Sequence, residues 1–117
     1  KIHKIRQTLW VKKKRIEIPI KKVSQFGKFS GLMFKSKNTE NLLFEFKKET
    51  KTSIHSLFVF FKFLAIWLDK ENKVIDSKIV NPFTPKISPK KSFSRLIELP
   101  FNNKNKKILR FFVGKKI

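Results

Sequence analysis

Histidine occurs twice, at His3 and His55, among eight Asp and Glu residues, so acid–base or metal chemistry has few side chains to draw on. A metal site needs convergent ligands, and no His, Asp or Glu recurs at a recognised ligand spacing. The absence of cysteine excludes a disulfide framework, thiol catalysis and thiolate zinc sites together. Gly27, Gly31 and Gly114 stand in neither common pattern of a phosphate-cradling loop, and no serine sits in a nucleophile elbow. No catalytic residue, metal or cofactor is therefore assigned. His55 is the titratable residue of most interest because it lies in the apolar run Ile54–Phe61. It reads either as a core or rim histidine bonded to a neighbour or as a ligand contact. A lone histidine there lacks the partners that proton transfer needs.

Charge supplies a second candidate. The net charge is +21 over 117 residues, which invites a polyanion such as RNA, DNA or an acidic membrane surface. Lys12, Lys13, Lys14 and Arg15 form a dense basic run and are the candidate nucleic-acid contacts. Arginine, the residue suited to bidentate phosphate or guanine contacts, appears only as Arg6, Arg15, Arg95 and Arg110. Enrichment in Lys, Ile, Asn and Phe together is equally what an adenine- and thymine-rich genome would write, so selection and composition both explain the charge. The apolar run Leu57–Leu68 is interrupted by Lys62 and too short to span a bilayer as a helix. Lys1–Arg15 is polar and basic, unlike a signal peptide. The expectation is a soluble cytoplasmic protein with no membrane span, its partners and oligomeric state open.

The elements that must position these residues are mostly strands. At 117 residues the chain fits one domain, 1–117, with a core rich in its 14 Phe. Ile16, Ile18 and Ile20 alternate with polar residues, and Pro19 places that strand at an edge or an end. Phe26, Phe29 and Met33 recur at helical spacing, which predicts one short helix near Ser24 to Met33. Leu42, Phe44 and Phe46 line one face of a strand, and Lys47–Ser53 reads as a loop. Ile54–Phe61, apolar on both faces, reads as the central strand. Phe63–Leu68 and Lys73–Val80 form a hairpin around the polar tetrad Asp69–Asn72. Pro82, Pro85 and Pro89 make 81–92 a surface loop. Phe93–Leu99 and Ile108–Val113 supply the last strands, with one helical turn within Asn102–Lys107. The fold class is mainly β, a compact sandwich or barrel-like domain with one short helix.

Four segments stand in fixed order: KFSGLMFK at Lys28 to Lys35, SIHSLFVFF at Ser53 to Phe61, SRLIELP at Ser94 to Pro100 and FVGKKI at Phe112 to Ile117. Their order and spacing resemble the domain of unknown function 192 family over about residues 16–117. The Ile54–His55 pair is similar to its archaeal-type sequences. The family's biochemical role is not established, so the resemblance implies a compact β domain with a short helix at the Gly31–Met33 segment, and no activity. Glu98 matches the acidic position of the family's Leu-Glu-Leu strand. Lys35 stands where the family often has Arg, which keeps the charge and gives up the planar fork. Leu64 replaces the usual carboxylate, whereas Asp69 is retained.

Gly31 is expected to let the backbone approach the sheet while Leu32 and Met33 fill the core, with Met33 and Phe58 buried together. Lys35, His55, Glu98 and Met33 are the candidate ligand-binding residues. The reading is an uncharacterised small β domain, a non-catalytic binding or accessory module of unknown ligand. The alternatives are a basic RNA-binding protein and an enzyme with a polar pocket near His55 and Glu98. A structural ion pair is the plainer role for Glu98.

Overall fold

Apolar residues at every second position make strands, and the first such pair is a hairpin. In the computed structural model, which describes residues 5–23 and 31–114, β1 (Ile5–Val11) pairs antiparallel with β2 (Lys14–Lys22), Leu9 opposite Ile16. Lys12 turns the chain at φ 57°. β1 is an addition to the sequence reading, which saw only charge before Arg15. Its inward residues are just Gln7 and Leu9, too few to show an alternation. β3 (Leu42–Thr50), β4 (Phe63–Leu68), β5 (Val74–Val80) and β6 (Phe93–Pro100) follow. The expected hairpin is β4 and β5, and Asp69 Oδ1 closes its turn by accepting from the N–H groups of Glu71 and Lys73 at 2.8 and 2.9 Å.

The six strands form one curled sheet in the order β1-β2-β3-β6-β4-β5. β2 meets β3 in parallel only at Lys21 and Lys22, just past Pro19, which has no N–H to give a ladder. The edges approach each other where Trp10 N donates to Asn72 O at 2.8 Å. Strand alternation then divides the core between two faces. Phe63, Ala65 and Trp67 of β4 join Leu42, Phe44, Phe93 and Leu96 on one. Leu64, Ile66 and Leu68 join Leu9, Ile18, Leu43 and Ile97 on the other. Every residue of β4 is buried, so β4, lying between β6 and β5, is covered on both faces as Ile54–Phe61 was expected to be.

Two expected strands are corrected. Ile54–Phe61 is irregular, held by isolated bridging at Ile54 and His55, with Ile54 opposite Ile87, because Phe58 takes a left-handed φ of 66° that no strand accommodates. Ile108–Val113 belongs to a helix, α1 (Lys106–Val113), entered through a 3₁₀ turn at Asn103–Asn105. Ile108, Leu109, Phe112 and Val113 recur at helical spacing and pack against the second face. Asn102 Oδ1 caps the entry by accepting from Asn105 N at 3.0 Å, and Gly114 ends the helix at φ 94°. The mainly β class therefore holds with its short helix at the C-terminal end. The helix expected near Ser24 to Met33 falls largely outside the described residues, and 31–34 form a turn. β3 also runs on through Lys47 to Thr50, where a loop was expected.

Candidate functional site

The first core face is covered by loops, and their packing begins at Gly31. A Cβ built there would lie 2.7 Å from Leu42 Cδ1 and 2.7 Å from Phe44 Cζ, so any side chain here would have to push the ends of these two buried residues aside. Beside it Leu32 is fully buried. Glu98, buried on β6, accepts a hydrogen bond from Gly31 N at 3.1 Å through Oε1. A buried carboxylate is tolerable only where donors meet it, and this one ties the turn to the sheet. Its face is opposite Ile97 and Leu99, as alternation requires.

The other two loops are held together by Ser56, which is fully buried. Its Oγ donates to Asn81 O at 2.7 Å and accepts from Thr84 N at 2.7 Å. Ser56 N donates to Thr84 O at 2.8 Å, and Ser56 O accepts from both Val59 N and Phe83 N at 3.0 Å. One side chain and one peptide unit thus lock the 54–59 segment to the 81–84 turn. Phe34 N completes the corner by donating to Phe58 O at 2.9 Å, joining the Gly31 turn to the same assembly.

On this frame stands a cluster of phenylalanines turned to solvent. Phe34 is 68% exposed, Phe58 48%, Phe60 59% and Phe83 48%. Phe34 stacks on Phe58 with ring centroids 5.3 Å apart, while Phe83 meets Phe58 and Phe60 edge-on at 6.3 and 5.2 Å. Phe34, Phe58 and Phe83 have φ of 62°, 66° and 59°. Among the described residues only Lys12 and Asn72 share that left-handed conformation outside glycine. The conformation costs an ordinary side chain about 1–2 kcal/mol. Exposed large apolar side chains on strained backbone are jointly unfavourable for a lone folded domain.

The sequence candidates distribute unevenly around it. Lys35 is exposed beside Phe34. Met33 is only half-buried and Phe58 is exposed, which overturns the expectation that both lie in one core. The left-handed turns at Phe34 and Phe58 direct this stretch outward. His55 is half-buried next to the Ile54 bridge, and its Nδ1 accepts from Leu57 N at 3.3 Å. Lys12, Lys13, Lys14 and Arg15 lie exposed on the β1–β2 hairpin. There Lys14 Nζ sits 5.1 Å from the centre of the Phe111 ring, and Arg15 pairs with Glu17 at 2.6 Å. His3 lies outside the described residues. Clefts open elsewhere, one lined by Pro19, Asn41, Lys104 and Asn105 and another by Lys37, Phe101 and Asn102. Among the described residues no group of His, Asp and Glu could hold a metal ion. Among the same residues no helix is long and apolar enough to cross a membrane.

Ser56 and the four phenylalanines were absent from the sequence candidates. The available signal was Phe at turn positions, as in Pro82–Phe83, where Gly or Asn is usual.

No family model matches the chain, and a search of curated proteins finds no match. In fold it is similar to a crystal structure of a protein of unknown function from Novosphingobium aromaticivorans, with a TM-score of 0.67. The superposition covers 90% of this chain and 78% of that one at 10% identity, a likeness of fold alone.

Proposed function

We propose that the chain is a non-catalytic binding module of the domain of unknown function 192 kind, working through the corner built by Phe34, Phe58, Phe60 and Phe83. The observation that carries this reading is the coincidence of exposure and left-handed backbone at three of the four rings. Folding alone favours Asn or Gly at such positions, because they take that conformation with less strain. Phenylalanine there costs stability and leaves apolar area in water, a combination that binding explains. Lys35, Met33 and His55 flank the corner as contacts for the ligand, and Glu98 holds its Gly31 turn in place.

The test is the triple variant Phe34→Asn, Phe58→Asn, Phe83→Asn. If the rings serve binding, its thermal midpoint equals or exceeds that of the wild type, and binding of a fluorescent apolar dye falls. A midpoint lowered by several degrees would assign the rings to folding and end the reading.

A second reading has its own observation. Lys12, Lys13 and Lys14 are exposed together, with Lys14 over the exposed Phe111 ring, a pairing of cation and aromatic that suits RNA. Counterion release makes weak RNA binding unavoidable at low salt, so salt dependence decides. A selected site keeps sub-micromolar affinity for a preferred RNA at physiological salt and loses it on charge reversal of Lys12–Lys14. Equal loss on reversing Lys104, Lys106 and Lys107 would reduce the charge to composition.

A further inference from the structure

We propose that the phenylalanine corner is a docking tip for an anionic lipid bilayer, its rings entering the interface while the surrounding lysines engage the headgroups. This rests on reading the corner as a binding surface and names what it binds. Three loops converge on it, and segments 31–39, 51–68 and 77–97 contain no Asp or Glu. The same segments carry Lys35, Lys37, Lys62 and Lys86, in keeping with the +21 net charge, whereas Lys90 lies against the Asp76 carboxylate. Apolar tips on loops that carry cations and no carboxylate of their own, Glu98 behind them being fully buried, complement a surface that is anionic outside and hydrocarbon beneath.

The chemistry of the rings separates this occupant from the others. Leu57 is 36% exposed beside Phe58 and offers no π-face to a base, but it partitions into lipid as well as phenylalanine does. The rings spend faces and edges on one another at 5.2 to 6.3 Å, which makes one apolar knob and no row of separate stacking platforms. Phe34, Phe58, Phe60 and Phe83 bring no hydroxyl or indole N–H, so insertion strands no side-chain donor of theirs. A second copy is opposed by charge, because two-fold pairing through this corner would bring together two sets of loops that carry lysines and no carboxylate of their own. A bilayer also imposes no fixed partner shape, which suits tips presented by three different loops.

The experiment is cosedimentation of the full chain with vesicles of phosphatidylcholine alone or mixed with phosphatidylserine, at physiological salt. The wild type is expected to bind the anionic vesicles at least tenfold more tightly than the neutral ones. Phe34→Ser/Phe58→Asn/Phe60→Ser/Phe83→Asn is expected to lose at least a hundredfold, about tenfold for each of two or more inserted rings, with its thermal midpoint retained. Lys35→Glu/Lys86→Glu should lose about tenfold or more, whereas Lys12→Glu/Lys13→Glu should lose less.

The inference is overturned if the wild type ignores the anionic vesicles or if the four-ring variant binds them as well as wild type does. It is equally overturned if the rings are required for a single-stranded RNA oligomer or for a concentration-dependent dimer while vesicles are left unbound. In those last cases a retained midpoint keeps the corner as a binding surface for another ligand. A lowered midpoint would remove that underlying reading as well.

Discussion

Phenylalanine meets opposite fates in two neighbouring regions of this molecule. In β4 and β6, Phe63 and Phe93 are fully buried on extended backbone, each strand covered on both faces. A few residues earlier, Phe58 and Phe60 stand in solvent, and Phe58 is held in a left-handed turn. The difference cannot come from hydrophobicity, which is identical. It comes from the hydrogen bonds of Ser56, which hold 54–59 against 81–84 as an irregular cap. Apolar residues therefore build stability where the ladder orders them. Where a polar hub orders them they build a surface.

The contrast is broken most severely from its buried side. Trp67 is fully buried between β6 and β5 and meets Phe93 edge-on at 6.4 Å, so Trp67→Ala should cost about 3–5 kcal/mol in urea unfolding. A smaller loss than that of a surface mutant would mean that β4 is not covered on both faces. Ser56→Ala removes a buried hydroxyl while leaving Asn81 O and Thr84 N without it, at a cost of about 1–3 kcal/mol. It should also speed amide exchange at Phe83 and Thr84 relative to β4. Unchanged exchange there would show that the corner is ordered without Ser56.

Phe60→Ser tests the exposed side and should shift stability by no more than about 0.5 kcal/mol, since its ring touches Phe83 at the rim and fills no core. The smallest effect concerns pH. Partial burial raises the Glu45 carboxyl, but hydrogen bonds and attraction from Arg95 and Lys22 outweigh it and hold the pKa below its ordinary 4.5. A carboxylate depressed in the folded state adds stability above its unfolded pKa, and that stability is lost as pH falls through the folded value. The pair is well exposed, so screening limits the contribution to about a few tenths of a kcal/mol. Comparing wild type with Glu45→Gln should show a difference at pH 7 that fades below about pH 4.5. A difference that grows in acid would reverse the assigned direction.

Much of the architecture was legible in the residues. The β4–β5 hairpin followed from two apolar runs around a polar tetrad, β6 from Phe93–Leu99, and the close approach of Gly31 from its place beside Leu32. These depend on local pattern and on one turn, which a sequence encodes directly. β1 escaped notice because its inward side is only Gln7 and Leu9. The tail of the chain was misread because Ile108, Leu109, Phe112 and Val113 suit a strand in composition and a helix in spacing. Docking against the second core face decided for the helix.

What the sequence by itself determined is a mainly β chain, strongly basic, without thiol chemistry and without an apolar run long enough for a membrane-spanning helix. Each of these is a sum or a period, and neither depends on which segments meet. What only the tertiary structure decided is the candidate surface. Phe34, Phe58 and Phe83 are far apart in the chain, and they meet only where Ser56 joins Asn81 and Thr84 and Phe34 N reaches Phe58 O. Burial is a property of the partner as much as of the residue, so the same apolar letter reads as core until the fold withholds a neighbour.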